Sequence, residues 1–388
     1  MSVLRVAIAI HPFGRFGGGE KLSILHTIEL SKRGYEVTFY TDRSSLDQSW
    51  VEKLDHYVEI RQLPYGLKNY RALNELGEFD RIVVHHHIDP IAAFRIVRRF
   101  GSKAIWYTGE VLRAVWERGV TGHDYRSVSP TVFTTARGFY GGLARIALWG
   151  GAYGLTTSAV RSLDRLTVYR YRAIIANSQY TANVASKVYH YGRRIYVVYP
   201  CSSIQPSSTP AFGKGEFVLA VGALVPNKNY GGLIQATSLL NTSPNLVIAG
   251  NGAEAPRLRS LAEGLGVRLQ LLPHMRDEDL AREYARCMFV AIPSFSESFG
   301  MTAVEGALAG KPSIATATGG TKEFVIDGES GLIVDPSSTD DLADAMRTLL
   351  EDSSLRESFG RRAWERARTD FTLDRSVDSF VKVLESDL

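Results

Sequence analysis

Short uninterrupted apolar runs alternate along this chain with longer segments of helical length. The first run is followed by a segment with apolar residues at Leu22, Leu25 and Ile28, which is the spacing of a helix that buries one face. Regular alternation of strand and helix predicts a parallel, doubly wound α/β sheet. The runs of strand length in the first half are residues 3–10, 35–40, 81–84 and 104–107.

The same alternation continues after residue 200. Apolar runs at 217–221, 246–249 and 288–292 have strand length, and the last segment, 349–388, is helical by its periodicity. The intervening residues 200–210 are rich in proline and serine, which is typical of a linker. A chain of 388 residues is long enough for two domains of ordinary size.

The loop after the run at 288–292 carries the strongest candidate chemistry. Glu297 and Glu305 flank Gly300, and small residues that suit a helix follow. Ligands of open parallel sheets bind beyond the carboxyl ends of the strands, where this loop is expected. Amides at a helix start attract phosphate, and a carboxylate accepts hydrogen bonds from sugar or ribose hydroxyls. The alternative is that both glutamates are ordinary residues near a helix start, stabilised by the helix dipole alone.

Two further features of the first half are weaker signals. Gly17, Gly18 and Gly19 separate the first strand from the first helix, without the spacing of a dinucleotide-binding fingerprint, so a turn without a ligand is an equal alternative. The three histidines at 85–87 follow a strand. Because neighbouring residues of a strand face opposite sides, three successive histidines cannot easily bind one metal ion, and we expect no metal there. We expect His87 to have a binding role instead.

Composition excludes several classes of protein. The two cysteines have no metal-type spacing, and the N-terminus lacks the basic region of a signal peptide. No apolar run is long enough to span a membrane, so no spanning helix is predicted. We expect a cytoplasmic protein, and we expect no nucleic acid among its partners. The net charge of +4 combines +11 in residues 1–200 with −7 in the remainder, which indicates an anionic partner for the first half.

Residues 128–170 place apolar and aromatic side chains beside arginines such as Arg161, Arg165 and Arg170. That composition is typical of a helix lying at the surface of an anionic membrane. The alternative is a buried packing helix with a basic exposed edge. We therefore predict peripheral membrane association.

The order of motifs in the second half resembles that of the retaining GT-B glycosyltransferases of family 4, also called glycosyltransferase group 1. Their hallmark is two glutamates separated by seven residues, as in Glu297 and Glu305, followed here by a Gly-Gly turn at 319–320. The segments around Lys228 and at 171–200 also match, and the subfamily that looks nearest extends lipid-linked oligosaccharides with mannose. The resemblance implies two Rossmann-like domains facing a central cleft. Their boundaries would be 1–200, a linker at 201–210, 211–368, and a terminal helix at 369–388 that packs back on the first domain.

The resemblance also implies a reaction and a set of site residues. The enzyme would move a hexose, first mannose from GDP-mannose, from a nucleotide sugar to a lipid-linked glycan, with retention and without metal or other cofactor. Glu297 and Lys228 would be catalytic, and acceptor-side contacts would come from Arg15, His87, Glu110 and Arg113. The implied donor-binding residues are Gly18, Gly19, Asn227, Lys228, Glu297, Ser298, Phe299, Gly300, Met301, Thr302 and Glu305.

Two positions depart from the family pattern. Gly109 stands where the family has a histidine, and Ala223 stands where it has an arginine that contacts the diphosphate. Three alternatives therefore stay open. They are a UDP-sugar-dependent enzyme with a small soluble acceptor, a catalytically weak partner subunit, and a GT-B sugar-nucleotide epimerase, which the intact glutamate pair disfavours. Glu110 and Arg113 could equally form a surface ion pair.

Overall fold

The computed structural model describes residues 3–10, 17–62, 70–85, 90–109 and 153–386. The chain divides into two compact units. The first consists of Met1–Pro200 together with Leu373–Leu388, and the second of Cys201–Thr372.

The first unit contains a parallel sheet of seven strands within the described residues, in the order β3-β2-β1-β4-β5-β6-β7. Its strands are β1 Arg5–Ile10, β2 Glu36–Thr41, β3 Glu59–Gln62, β4 Arg81–His85, β5 Ala104–Thr108, β6 Ala173–Ala176 and β7 Ile195–Val197. Its helices are α1 Gly18–Lys32, α2 Gln48–Asp55, α3 Tyr70–Glu75, α4 Pro90–Phe100, α5 Tyr153–Val168, α6 Gln179–Tyr189 and, from the end of the chain, α13 Leu373–Glu385.

The second unit repeats this architecture with a parallel sheet of six strands in the order β10-β9-β8-β11-β12-β13. Its strands are β8 Phe217–Val221, β9 Asn245–Ala249, β10 Leu269–Leu272, β11 Phe289–Ile292, β12 Ser313–Thr316 and β13 Gly331–Val334. Its helices are α7 Tyr230–Ser238, α8 Ala255–Gly264, α9 Asp277–Arg286, α10 Met301–Leu308, α11 Thr339–Glu351 and α12 Ser353–Asp370.

The apolar runs form the centre of each sheet. In β5 every residue is buried, and in β11 every residue is buried as well. A strand with no exposed face is what a parallel sheet requires, because helices cover both of its sides. The prediction of two Rossmann-like α/β domains with parallel sheets is confirmed.

The boundaries of the units differ in detail from the expected ones. Residues 201–210, predicted as a linker, belong to the second unit. Cys201 is buried, and Ser207 donates a backbone hydrogen bond of 2.9 Å to the Leu308 carbonyl. The terminal helix begins at Leu373, not at residue 369, because α12 continues to Asp370.

A buried histidine attaches the terminal helix α13 to α1. His26 Nε2 lies 2.9 Å from Ser376 Oγ, whose hydroxyl donates to the Tyr199 carbonyl at 2.7 Å. Since that hydroxyl has only one proton, His26 Nε2 must be the donor. Its Nδ1 is buried without a hydrogen-bond partner in the described part of the chain, and its ring stacks on Phe380 at 4.7 Å. Burial lowers the pKa of His26 to about 3.

This histidine makes the first unit sensitive to acid. The unfolded chain takes up the proton near pH 6.5 and the folded one only near pH 3, so stability is full above pH 6.5 and falls between these values. We expect a loss of about 2 kcal/mol at pH 5 relative to pH 8. Urea unfolding followed by circular dichroism measures it. The His26→Gln variant should lose this pH dependence and the exposed-site variant His56→Gln should keep it; an unchanged pH dependence in His26→Gln contradicts the assignment.

No helix in the described ranges combines the length and the apolar composition needed to cross a bilayer.

Candidate functional site

The loop between β11 and α10 ends at Gly300. This residue precedes the first helical residue, Met301, and has φ of +89°, in the left-handed region. A Cβ at this position would lie 2.6 Å from Thr321 Oγ1. Because Gly300 has no side chain, the cap position places no side chain over the first amides of α10. Those amides are a suitable site for an anion.

Two side chains predicted as catalytic meet beside this loop. Lys228 Nζ lies 2.6 Å from Glu297 Oε2, and the exposed fractions of the two side chains are 23% and 18%. Ser294 Oγ donates to the same carboxylate oxygen at 3.1 Å. Lys228 ends a short 3-10 turn, Pro226–Lys228, beyond the carboxyl end of β8. The ends of adjacent strands β8 and β11 thus bring together residues that are 69 positions apart in sequence.

Asn227 connects the same two loops. Its side-chain amide donates to the Ser296 carbonyl at 3.0 Å, and its carbonyl accepts from the Phe295 amide at 3.0 Å. The sequence predicts a donor-binding role for Asn227, and the contacts seen here fix the loop that carries Glu297.

The Gly-Gly turn after β12 supports Glu297 from its other side. Gly320 N donates to the Glu297 carbonyl at 2.8 Å, and Glu297 and Gly319 form an isolated parallel bridge. Gly319 has φ of +107°, and a Cβ there would lie only 2.3 Å from the Glu297 carbonyl oxygen. Thr318 and Thr316 donate to the carbonyls of Phe295 and Ser294, at 2.6 Å and 2.7 Å. The backbone of the candidate site is therefore fixed on two sides.

The second glutamate, Glu305, has a different partner. It lies in the second turn of α10 and accepts a hydrogen bond of 2.7 Å from the hydroxyl of Tyr284. Burial, followed by the charge of Glu305, raises the pKa of Tyr284 well above its usual value, so the phenol keeps its proton and remains a donor. The sequence did not indicate Tyr284, because only the folded structure places its helix, α9, beside Glu305 on α10.

The remaining predicted residues of the loop contribute backbone or partly exposed side chains. Phe299 is 1% exposed, and its ring contacts Phe371 with 5.6 Å between centroids. Its side chain therefore belongs to the core, and only its backbone can contact a ligand. Ser298, Met301 and Thr302 are partly exposed.

Gly18 and Gly19 belong to the first unit, where they open α1. Glu20 accepts a hydrogen bond of 2.9 Å from Gly17 N, so the carboxylate caps the helix that follows the glycine loop. Burial of this carboxylate is the largest effect on it and raises the pKa of Glu20.

Of the positions that depart from the family pattern, Gly109 follows β5 and Ala223 follows β8. The predicted acceptor-side residues Arg15, His87, Glu110 and Arg113, and most of the segment 128–170, lie outside the described residues. Of the histidine triplet, His85 ends β4, is fully buried and stacks on Tyr107 with 4.6 Å between centroids. In the ranges that the structure describes, no group of three or more His, Cys, Asp or Glu side chains could hold a metal ion.

Comparison with known proteins identifies the family. The family model for glycosyl transferases group 1 matches residues 203–366. A D-inositol 3-phosphate glycosyltransferase of Corynebacterium efficiens is 34% identical over 403 residues, covering 90% of this chain and 86% of the relative. One from Corynebacterium glutamicum is 28% identical over 396 residues, covering 91% and 88%.

Two solved structures share the fold over 98% of this chain. Anabaena Alr3699/HepE, crystallised in complex with UDP, superimposes with a TM-score of 0.74 at 17% identity, covering 98% of this chain and 99% of that one. WaaG, a glycosyltransferase involved in lipopolysaccharide biosynthesis, gives 0.69 at 17% identity, covering 98% and 100%.

This chain is therefore a glycosyltransferase with the GT-B fold, and it belongs to the glycosyltransferase group 1 family. The prediction of a group 1 glycosyltransferase is confirmed at the level of the family and of the class of enzyme. The two Corynebacterium relatives carry the name D-inositol 3-phosphate glycosyltransferase rather than that of a mannosyltransferase.

Proposed function

We propose that this chain is a retaining hexosyltransferase whose nucleotide-sugar donor binds in the second unit. The observation that carries the proposal is the contact of 2.6 Å between Lys228 and Glu297 beside the uncapped start of α10. A cation, a row of amides and a carboxylate are the groups that a diphosphate-linked sugar needs, and here they lie at the carboxyl edge of one sheet.

Each group has a defined task in this proposal. Lys228 meets the diphosphate as a point charge, and the amides that begin α10 contact its oxygens. Glu297 accepts hydrogen bonds from hydroxyls of the hexose, and Glu305 from the ribose. The sugar–phosphate bond breaks as negative charge grows on the leaving diphosphate, so preorganised positive groups stabilise the transition state more than the ground state.

The proposal needs no metal ion, because Lys228 and the amides supply the positive charge at the leaving group. The departing diphosphate takes the proton of the acceptor hydroxyl, so no protein base is required. These two features are compatible with the departures from the family pattern. A reaction that needs no protein base does not depend on a histidine at position 109, and Lys228 supplies positive charge to the diphosphate where Ala223 replaces the arginine.

The donor is best supported as a UDP-sugar. The fold neighbour Alr3699/HepE was crystallised with UDP-glucose as well as with UDP. GDP-mannose is the second candidate, favoured by the segments at 17–22, 106–110 and 176–189, which look like those of mannosyltransferases.

The acceptor is proposed to be anionic. Residues 1–200 carry 27 Lys and Arg against 16 Asp and Glu, a net +11. The relatives are named for D-inositol 3-phosphate, a phosphorylated polyol, and a lipid-linked glycan also presents phosphate. Peripheral contact with an anionic membrane is favoured by Leu166 and Tyr169, which are 51% and 47% exposed close to Arg170.

A nucleotide screen tests the donor proposal. The melting temperature is measured with UDP, GDP and ADP at the same concentration. A nucleotide present at about 100 times its dissociation constant adds about 2.7 kcal/mol of stability, and a weaker ligand adds less. We expect UDP to raise the melting temperature most and ADP least, and the Lys228→Met variant to lose most of the increase. No increase with any nucleotide contradicts the proposal.

Turnover then separates the acceptors. With the best donor carrying a labelled hexose, label should move to D-inositol 3-phosphate or to a polyprenyl-diphosphate glycan. Donor hydrolysis that vanishes in Glu297→Ala would argue against the partner-subunit alternative, and neither hydrolysis nor transfer with any donor would favour it.

A further inference from the structure

Tyr230 has a buried hydroxyl that makes no hydrogen bond within the ranges that the structure describes. The residue is 4% exposed and begins α7, two positions after Lys228. Most buried hydroxyls in folded proteins are hydrogen-bonded, because an unpaired one loses its bonds to water without replacement. A hydroxyl kept in this state requires an explanation.

The hydroxyl lies under the candidate site. It is 2.9 Å from the point where a Cβ on Gly222 would be, and Lys228 Cε is 3.4 Å from the same point. Hydroxyl and lysine thus lie over the same face of Gly222, at the carboxyl end of β8. After burial, the nearby negative charge of Glu297 is the next cause that raises the pKa of Tyr230. The phenol therefore stays protonated and can only donate toward that carboxylate.

The two glutamates of the site each have a buried tyrosine close by, but only one pair is bonded. Tyr284 donates to Glu305 at 2.7 Å, whereas Glu297 is occupied by Lys228 at 2.6 Å and by Ser294 at 3.1 Å. In the proposed function, Lys228 and Glu297 serve different parts of the donor. When the lysine turns to the diphosphate, the carboxylate loses its strongest partner.

We propose that Tyr230 is a positioning residue, whose hydroxyl donates a hydrogen bond to the Glu297 carboxylate when the donor diphosphate draws Lys228 away. This inference rests on the proposed function of the site. No proton is transferred; one hydrogen bond replaces an ion pair. The exchange keeps Glu297 oriented toward the sugar and lowers the cost of separating it from Lys228.

The Tyr230→Phe variant tests the proposal, because it removes only the hydroxyl. A hydroxyl with a structural role would stabilise the unliganded protein, so its loss would lower the melting temperature. We expect the opposite pattern: the melting temperature without ligand stays unchanged or rises, and the affinity for UDP falls about tenfold, the size of one hydrogen bond to a charged group. Titration calorimetry with UDP measures the affinity.

A matched control removes a hydroxyl that has a partner. Tyr189 is fully buried in the first unit and donates to Asp164 Oδ2 at 2.9 Å. The Tyr189→Phe variant should lower the melting temperature of the unliganded protein and leave the UDP affinity unchanged.

A double-mutant cycle shows whether Tyr230 acts through Glu297. In a Glu297→Ala background the acceptor is gone, so adding Tyr230→Phe should change the UDP affinity less than twofold. An equal tenfold loss in both backgrounds would mean that the hydroxyl contacts the ligand itself, and it overturns the proposal. An unchanged UDP affinity in the single variant, or a lower unliganded melting temperature, overturns it too. If the wild-type protein binds no nucleotide, the proposed function fails first and this inference with it.

Discussion

Replacing Glu297 with alanine lowers kcat/KM for sugar transfer by about 10²- to 10³-fold while the protein stays folded. Hydrogen bonds to a charged acceptor contribute about 1.5–3 kcal/mol each, so two hexose hydroxyls on one carboxylate correspond to at least about 3 kcal/mol in total. The folded state loses little, because Glu297 and Lys228 are partly exposed and such a pair adds little stability. Release of UDP and transfer of labelled hexose are measured together.

The exposed Glu329, in the same unit, provides the control for this variant. Glu329→Ala removes an equal charge away from the site and should keep kcat/KM within twofold of the wild type. Transfer by Glu297→Ala at the wild-type rate would remove the carboxylate from the mechanism. A fall of the melting temperature by more than a few degrees would mean that the loss of activity comes from unfolding.

Replacing Gly319 with alanine lowers the free energy of unfolding of the second unit by about 3 kcal/mol or more. The new Cβ would lie 2.3 Å from the Glu297 carbonyl oxygen and 2.8 Å from its nitrogen. Both are backbone atoms, so the contact is relieved only by breaking the bridge to Glu297. The positive φ of +107° adds strain, and the displaced Glu297 leaves the site without its carboxylate in place.

Gly328 separates the two causes. It also has a positive φ, +70°, but no atom lies within 4 Å of its Cβ position. Gly328→Ala should therefore cost about 1–2 kcal/mol, from backbone strain alone, with activity unchanged. Urea unfolding of both variants measures the difference. Equal losses in the two variants would show that crowding against Glu297 contributes nothing.

The sequence predicted the sheets well because the signal is local. Buried parallel strands appear in the sequence as apolar runs, and the segment after β11 is marked by Gly300 and the two glutamates that flank it. Lys228 and Glu297 were predicted from a family resemblance, and they do lie together. Whether they bind a donor stays a prediction.

The remaining parts of the site could not be predicted because they depend on contacts between distant segments. In the sequence, Tyr230 and Tyr284 cannot be distinguished from ordinary core aromatics of helices. Only the folded structure places them near Glu297 and Glu305. Gly319 gave a turn signal without revealing that it packs on Glu297. Phe299 is predicted as a donor-binding residue from its position in the motif, and that position gives no sign that its ring packs into the core.

Lys228, Glu297 and the first amides of α10 are proposed to bind one nucleotide sugar together. A crystal structure of the protein with UDP-glucose or GDP-mannose tests this proposal. We expect diphosphate oxygens within hydrogen-bonding distance of Lys228 Nζ and of the amides that begin α10, and hexose hydroxyls on the Glu297 carboxylate. Ligand density elsewhere, with Lys228 and Glu297 still paired as they are now at 2.6 Å, would contradict it.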